Sequence, residues 1–213
     1  MKLYVEGGGS AASLRTACRE GFSKLLDKAG FKGRMPRIVA CGSRNDAYDS
    51  FYTAIRNGEK AMLLIDSEAP VIAAAQPGDA READDRANWL PWQHLLQRQG
   101  DGWKKPEGSE DWQCQLMVQC MESWLLADRQ VLKEFFGQGY QENKLPALGN
   151  SLERVAKERV YDAFADATRN CKSKDQYGKG EHSFKLLGLI DPAKVSEASP
   201  WAKRFFEMLE KRM

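Results

Sequence analysis

Two stretches decide the fold: Lys2-Leu3-Tyr4-Val5-Glu6-Gly7-Gly8-Gly9 and Ala61-Met62-Leu63-Leu64-Ile65-Asp66-Ser67-Glu68. Each is a short apolar run that ends on a carboxylate. Four to six apolar residues bounded by turn or acidic residues read as buried strands. Between them, residues 37–42 (RIVACG) form a third run of this type. The intervening segments have helical periodicity. Leu14, Cys18, Phe22, Leu25 and Leu26 share one face of a helix expected from Ser10 to about Ala29, stopped by Gly30. Ala47, Phe51, Ala54 and Ile55 do the same for a helix that Ser43 or Asp46 starts and Gly58 ends. Strand, helix, strand, helix, strand with short links predicts an α/β fold with a mostly parallel sheet covered by helices.

The remainder is less regular. Residues 76–88 are charged and lack an apolar period, so a surface excursion is expected, followed by a short helix over 89–97. The stretch 100–111 (GDGWKKPEGSED) reads as a break, and 116–120 as a fourth strand running into Met121-Glu122-Ser123-Trp124. Helices are expected over 129–136, 152–168, 183–189 and 200–211, with an irregular stretch over 137–150. This divides the chain into an α/β domain at 1–128 and a helical C-terminal extension at 129–213, packed on it or continuous with it.

With 42% apolar residues and a net charge of +2 from 32 basic and 30 acidic side chains, the chain has a real core and little long-range field. Any nucleic-acid contact must therefore use a local basic face. Five cysteines, none at metal-ligand spacing, read as buried reduced thiols. No apolar run has the length of a membrane span, and MKLYVE has no leader character, so a cytoplasmic protein is expected. There is no GxSxG elbow and no Walker motif, so acyl transfer is unsupported and any ATP dependence would need a partner ATPase.

The carboxylates carry the chemistry. Glu6 follows a strand and precedes three glycines, at the sheet edge where open α/β folds bind ligands. Asp66 and Glu68 alternate along an extended segment, so both are expected to face one ion. Three acids at one edge repel each other unless a cation neutralises them, which points to a hard divalent metal such as Mg²⁺ or Mn²⁺. Glu122 is a candidate further ligand or substrate-positioning group, or an acid in a first helical turn. Arg44 stands at the same edge as a candidate phosphate clamp. The segment 170–185 (NCKSKDQYGKGEHSFK) is basic, and its Lys179 and His182 are candidate substrate-binding residues. His94 reads as structural.

Taken together, the strand ending Glu6-Gly7, the βαβαβ run and the strand ending Asp66-Ser67-Glu68 resemble the Toprim fold of topoisomerases, primases and small nucleases. Phrases such as YVEGGG, RIVACGSRNDA, LLIDSEAPV and LMVQCMESWLLAD resemble, over nearly the whole chain, a bacterial family of stand-alone Toprim-like proteins. That family is labelled a domain of unknown function (the DUF4276 type) and is grouped with mobile and anti-phage defence loci. The resemblance implies that Glu6 is a general acid/base or metal ligand and that Asp66 and Glu68 hold Mg²⁺. It also implies phosphodiester cleavage in DNA or RNA, or, as the alternative, a non-catalytic subunit of a partner ATPase. Two positions depart from the usual pattern. Glu68 stands where a second Asp is common, and Ser10 and Ala11 replace an acid that often follows the Glu-Gly.

Overall fold

The computed structural model describes residues 1–147, 151–180 and 182–213. Positions 148–150 of the irregular stretch expected over 137–150, and Glu181 of the basic segment, lie outside the described residues. Strands β1 (Lys2–Val5), β2 (Arg37–Ala40), β3 (Ala61–Asp66) and β4 (Cys114–Met117) form one sheet in the order β2-β1-β3-β4. All three pairings are parallel. The class is therefore α/β with a parallel sheet flanked by helices, as the alternation predicts.

Parallel strands need helical crossovers, and both faces of the sheet are covered accordingly. Helix α1 (Ala12–Leu26) joins β1 to β2, and α2 (Arg44–Arg56) joins β2 to β3. Side-chain alternation splits each strand between two cores. Leu3, Val5, Met62 and Leu64 pack with Phe22 and Leu25 on one face. Tyr4, Leu63 and Ile65 pack with Phe51 and Trp92 on the other. β3 is buried along its whole length, which explains its unbroken apolar sequence.

Helix boundaries differ from the sequence reading for local reasons. α1 begins at Ala12 after an Ala11 N-cap, with no hydrogen bond from Ser10, and winds down through a π-helical turn, Asp27–Phe31, where Gly30 takes φ 89°. Ser43 caps α2, its Oγ accepting from Asp46 N–H while the Asp46 carboxylate accepts from Ser43 N–H. The expected helix over 152–168 is split: a 3₁₀ turn, Leu152–Arg154, precedes α7 (Lys157–Thr168). Glu153 is drawn away, because its Oε1 accepts from Ser199 Oγ at 2.6 Å and from Trp201 N–H at 2.9 Å. Gly21 of α1 passes so close to α8 (Ser183–Leu187) that a Cβ there would lie 2.5 Å from the Phe184 carbonyl.

Between β3 and β4 lie α3 (Ala83–Ala87) and α4 (Pro91–Gln97). The charged segment 76–88 is mostly exposed, as a surface excursion should be, but one residue ties it to the core. Arg86 is 1% exposed and forks onto Glu207 of α10 (Pro200–Arg212), with Nη1 donating to Ala80 O at 2.7 Å. After β4 come α5 (Met121–Leu125), α6 (Arg129–Phe136) and, following α8, α9 (Pro192–Ala198). Residues of these C-terminal helices, including Val160, Phe164, Phe205 and Leu209, share one core with Leu3 and Val5. No helix among the described residues is long and apolar enough to cross a membrane.

Arg204 fastens α10 to the sheet edge. It is fully buried and donates to five acceptors: the Arg86, Trp89, Asp111 and Cys114 carbonyls and Gln115 Oε1, at 2.8–3.3 Å. Burial pulls its guanidinium down to about 10, so the hydrogen bonds rather than a carboxylate hold the charge. Removing them takes a charged donor from four carbonyls and from the buried Gln115 amide, so Arg204→Met is expected to lower the unfolding free energy by about 3–5 kcal/mol. Urea denaturation measures it, and a loss under ~1 kcal/mol contradicts this role.

Candidate metal centre

The chain steps from β1 to β2 on one side, then crosses back to place β3 on the other side of β1. The strand order therefore reverses between β1 and β3, and ligand crevices open beyond the carboxyl ends of strands at such a switch point. Glu6 and Asp66 stand at those two strand ends. Asp66 N–H donates to Glu6 Oε2 at 3.0 Å, and Met121 N–H donates to Asp66 Oδ1 at 2.8 Å. Glu6, Asp66 and Glu68 each offer an oxygen within 4.8 Å of the others.

Glu68 joins this group by a route other than strand alternation. The strand ends at Asp66, and Glu68 takes φ 65°, a left-handed conformation uncommon outside glycine. Its N–H donates to Gln119 O at 2.8 Å, which fastens the turn to the segment after β4. Strained backbone of this kind costs on the order of 1–3 kcal/mol and concentrates at functional sites. Behind it, His94 Nε2 lies 3.0 Å from Ser67 O, so His94 buttresses the turn as a structural residue. Before Asp66, Gly7 and Gly42 exchange backbone hydrogen bonds of 2.9 Å, and Gly8 takes φ 85° with Arg15 so near that a Cβ would lie 2.8 Å from its Cα. The glycines thus let the loop fold tightly against α1 beside the carboxylates.

Burial lifts Glu6 to about 7, against the pull of the Arg44 charge. Burial likewise raises Asp66 well above the ordinary carboxylate range, and the Glu6 and Glu122 charges push it the same way. Burial also disfavours charge on Glu68, but the Lys157 hydrogen bond and the charges of Lys157, Arg44 and Arg98 outweigh it and hold Glu68 low. An oxygen-only donor set that favours added positive charge suits a hard divalent ion. Two oxygens on one Mg²⁺ lie at most about 4.2 Å apart, so small side-chain rotations would close the set around it. Glu6, Asp66 and Glu68 would hold Mg²⁺ or Mn²⁺.

Lys157 was invisible to the sequence reading. Its Nζ donates to Glu68 Oε1 at 2.5 Å and lies 3.6 Å from Asp66 Oδ2. The acids were expected to need a cation, and the chain brings one of its own, the Lys157 ammonium from α7. Burial pulls the Lys157 pKa down, but Asp66 and Glu68 outweigh it and raise it, so the ammonium is held charged. Arg44 is also engaged. Its two terminal nitrogens donate to Asp101 at 2.9 and 3.0 Å, its Nε lies 3.6 Å from Glu6, and it stacks 4.8 Å over Trp103. The fork expected to clamp a phosphate thus holds Asp101 instead. Arg98 joins the same network through Asp101 at 2.9 Å.

The remaining expected site residues separate into two places. Glu122 is 1% exposed and lines a cavity of about 300 Å³ together with Glu6, Asp66 and Lys179. It accepts from Tyr161 Oη at 3.2 Å, and Lys179 Nζ donates to that Tyr161 hydroxyl at 2.9 Å. Glu122 stands outside the three-carboxylate cluster found among the described residues. His182 is packed between Phe135, Phe136 and Tyr177 and accepts from Gly178 N–H through Nδ1 at 3.1 Å. It lines a different depression, with Lys172, Lys174 and Lys185. Asp128 makes no side-chain cap for α6 and instead accepts from Asp191 N–H and Lys194. All five cysteines are free, four of them buried.

Lys157 and a divalent ion compete for the same oxygens, so Lys157→Met is expected to tighten Mn²⁺ binding by about tenfold, or ~1.4 kcal/mol. Calorimetric titration measures it. Unchanged or weaker affinity contradicts the competition.

The model of the domain of unknown function DUF4276 matches residues 5–210 of this chain. No curated protein and no solved structure matches it. With nearly its whole length matched, the chain belongs to the DUF4276 family.

Proposed function

We propose that this chain is a cytoplasmic, Mg²⁺- or Mn²⁺-dependent Toprim-like nuclease that hydrolyses phosphodiester bonds in DNA or RNA, and that it serves as an effector in anti-phage defence. The observation that carries the reading is the cluster of Glu6, Asp66 and Glu68 at the switch point of a parallel sheet, their oxygens within 4.8 Å. A divalent ion held there would polarise the phosphate and stabilise charge on the leaving oxygen.

The chain's own residues supply the rest. Asp66, fixed by the Met121 N–H, and Glu68, fixed by its turn, orient the ion's ligands. Glu6, at the end of β1, would complete the ion's ligand set. Lys157 beside Asp66 and Glu68 is placed to neutralise a phosphate oxygen once ion and substrate draw its partners away. The depression lined by Lys172, Lys174 and Lys185 offers a phosphate backbone a local basic track.

A second reading, a non-catalytic Toprim-fold subunit of a partner ATPase, is favoured by one observation. Lys157 and Arg44 already neutralise much of the acidic cluster. Nuclease assays with Mg²⁺ and Mn²⁺ on single- and double-stranded DNA and RNA separate the two. The wild type is expected to cleave, and Asp66→Ala to lose on the order of 100-fold or more in rate. Absence of wild-type cleavage together with absence of metal binding overturns the enzyme reading.

A further inference from the structure

Glu122 is a buried carboxylate that the metal cluster does not use. It accepts only from hydroxyls at long range, Tyr161 Oη at 3.2 Å and Ser183 Oγ at 3.4 Å, among the described side-chain hydrogen bonds. No ion pair among the described residues includes it, and Lys179 reaches the Tyr161 hydroxyl instead. An ionised carboxylate has about four acceptor positions. These two hydrogen bonds occupy two of them, and Glu122 lines the 300 Å³ cavity, so acceptor capacity is left for a ligand seated there.

The cavity limits what that ligand can be. Leu14, Met121 and Phe184 give it apolar walls, and the Gly7-Gly8-Gly9 loop leaves a side free of side chains. At about 300 Å³ it is at the small end of ligand pockets, suited to one flat ring system with its sugar rather than to a stacked duplex. Glu6 and Asp66 line the same cavity, so a phosphate carried by that sugar would face the metal centre. Among nucleobases, guanine presents two adjacent N–H donors on its Watson–Crick edge, matching the two oxygens of a carboxylate. Adenine and cytosine place a ring acceptor beside their single amino group, and uracil and thymine flank one N–H with two carbonyls.

We propose that this cavity is a guanine-binding pocket, in which Glu122 accepts the N1–H and N2–H of an unstacked guanosine. Resting on the nuclease reading, it makes the substrate a single-stranded nucleic acid cleaved next to guanosine. Tyr161 and Ser183 hold the Glu122 carboxylate in place, and Lys179, which donates to the Tyr161 hydroxyl, lines the same cavity. Base extrusion into such a pocket costs least when the strand is already single.

The test uses nucleosides, which carry no phosphate, in the presence of a chelator, so that it does not depend on the metal centre. Guanosine, adenosine, cytidine and uridine are titrated calorimetrically into the full chain. Guanosine is expected to bind about tenfold or more tighter than the others. Glu122→Gln keeps the side-chain shape but replaces one acceptor with a donor, and is expected to erase that preference at an unchanged thermal midpoint. Equal binding of all four nucleosides, binding of none, or a guanosine preference retained in Glu122→Gln overturns the proposal. Guanosine binding with neither metal binding nor metal-dependent cleavage leaves the pocket standing and overturns the nuclease reading instead.

Discussion

Carboxylates buried together at the end of a parallel sheet must be given a counter-charge, and much of this molecule is arranged around that requirement. Asp66 is buried beside Glu6, with Glu68 turned back toward both. Desolvation and mutual repulsion raise Glu6 and Asp66 and would favour their neutral forms. The Lys157 ammonium is the nearest positive charge on Asp66 and Glu68, and Arg44 does the same for Glu6 from the other side. A divalent ion would satisfy the same requirement more completely, which is why a lysine and a metal are natural competitors here.

This electrostatic requirement ties the C-terminal helices to the N-terminal sheet. α7 carries Lys157 and Tyr161 four residues apart, so both reach the crevice from one face. The adjoining stripe of the helix, Val160, Ala163, Phe164 and Ala167, is buried in the core shared with β1. Packing therefore determines where the ammonium stands, and the ammonium determines how Glu68 is held. α10 closes the far edge through Arg204, whose hydrogen bonds gather two separate segments, 86–89 and 111–115. The chain from 129 onward thus supplies groups that complete the centre as well as helices that cover it.

The sheet and its acidic edge were legible because the first three strands are short apolar runs stopped by a carboxylate or a glycine, and the two crossovers joining them have a helical period. The three carboxylates were legible for a partly mistaken reason. Alternation along an extended strand would place Asp66 and Glu68 together, yet the strand stops at Asp66 and a left-handed turn brings Glu68 round. Nothing in an isolated Glu predicts positive φ. Lys157 was hidden because a lysine among Glu158 and Arg159 at a helix start reads as solvated, and its partners lie about ninety positions away. Arg44 was seen at the correct edge, but Asp101, in a Gly-rich segment read as a break, was not recognised as its partner.

The central claim is that Glu6, Asp66 and Glu68 form one divalent-cation site from which Lys157 is displaced. Anomalous diffraction from crystals soaked in Mn²⁺ tests it directly. The account predicts a peak within coordination distance of oxygens from all three carboxylates, with the Lys157 ammonium withdrawn from Asp66 and Glu68. A crevice without manganese, with Lys157 still bound to both acids, would contradict it.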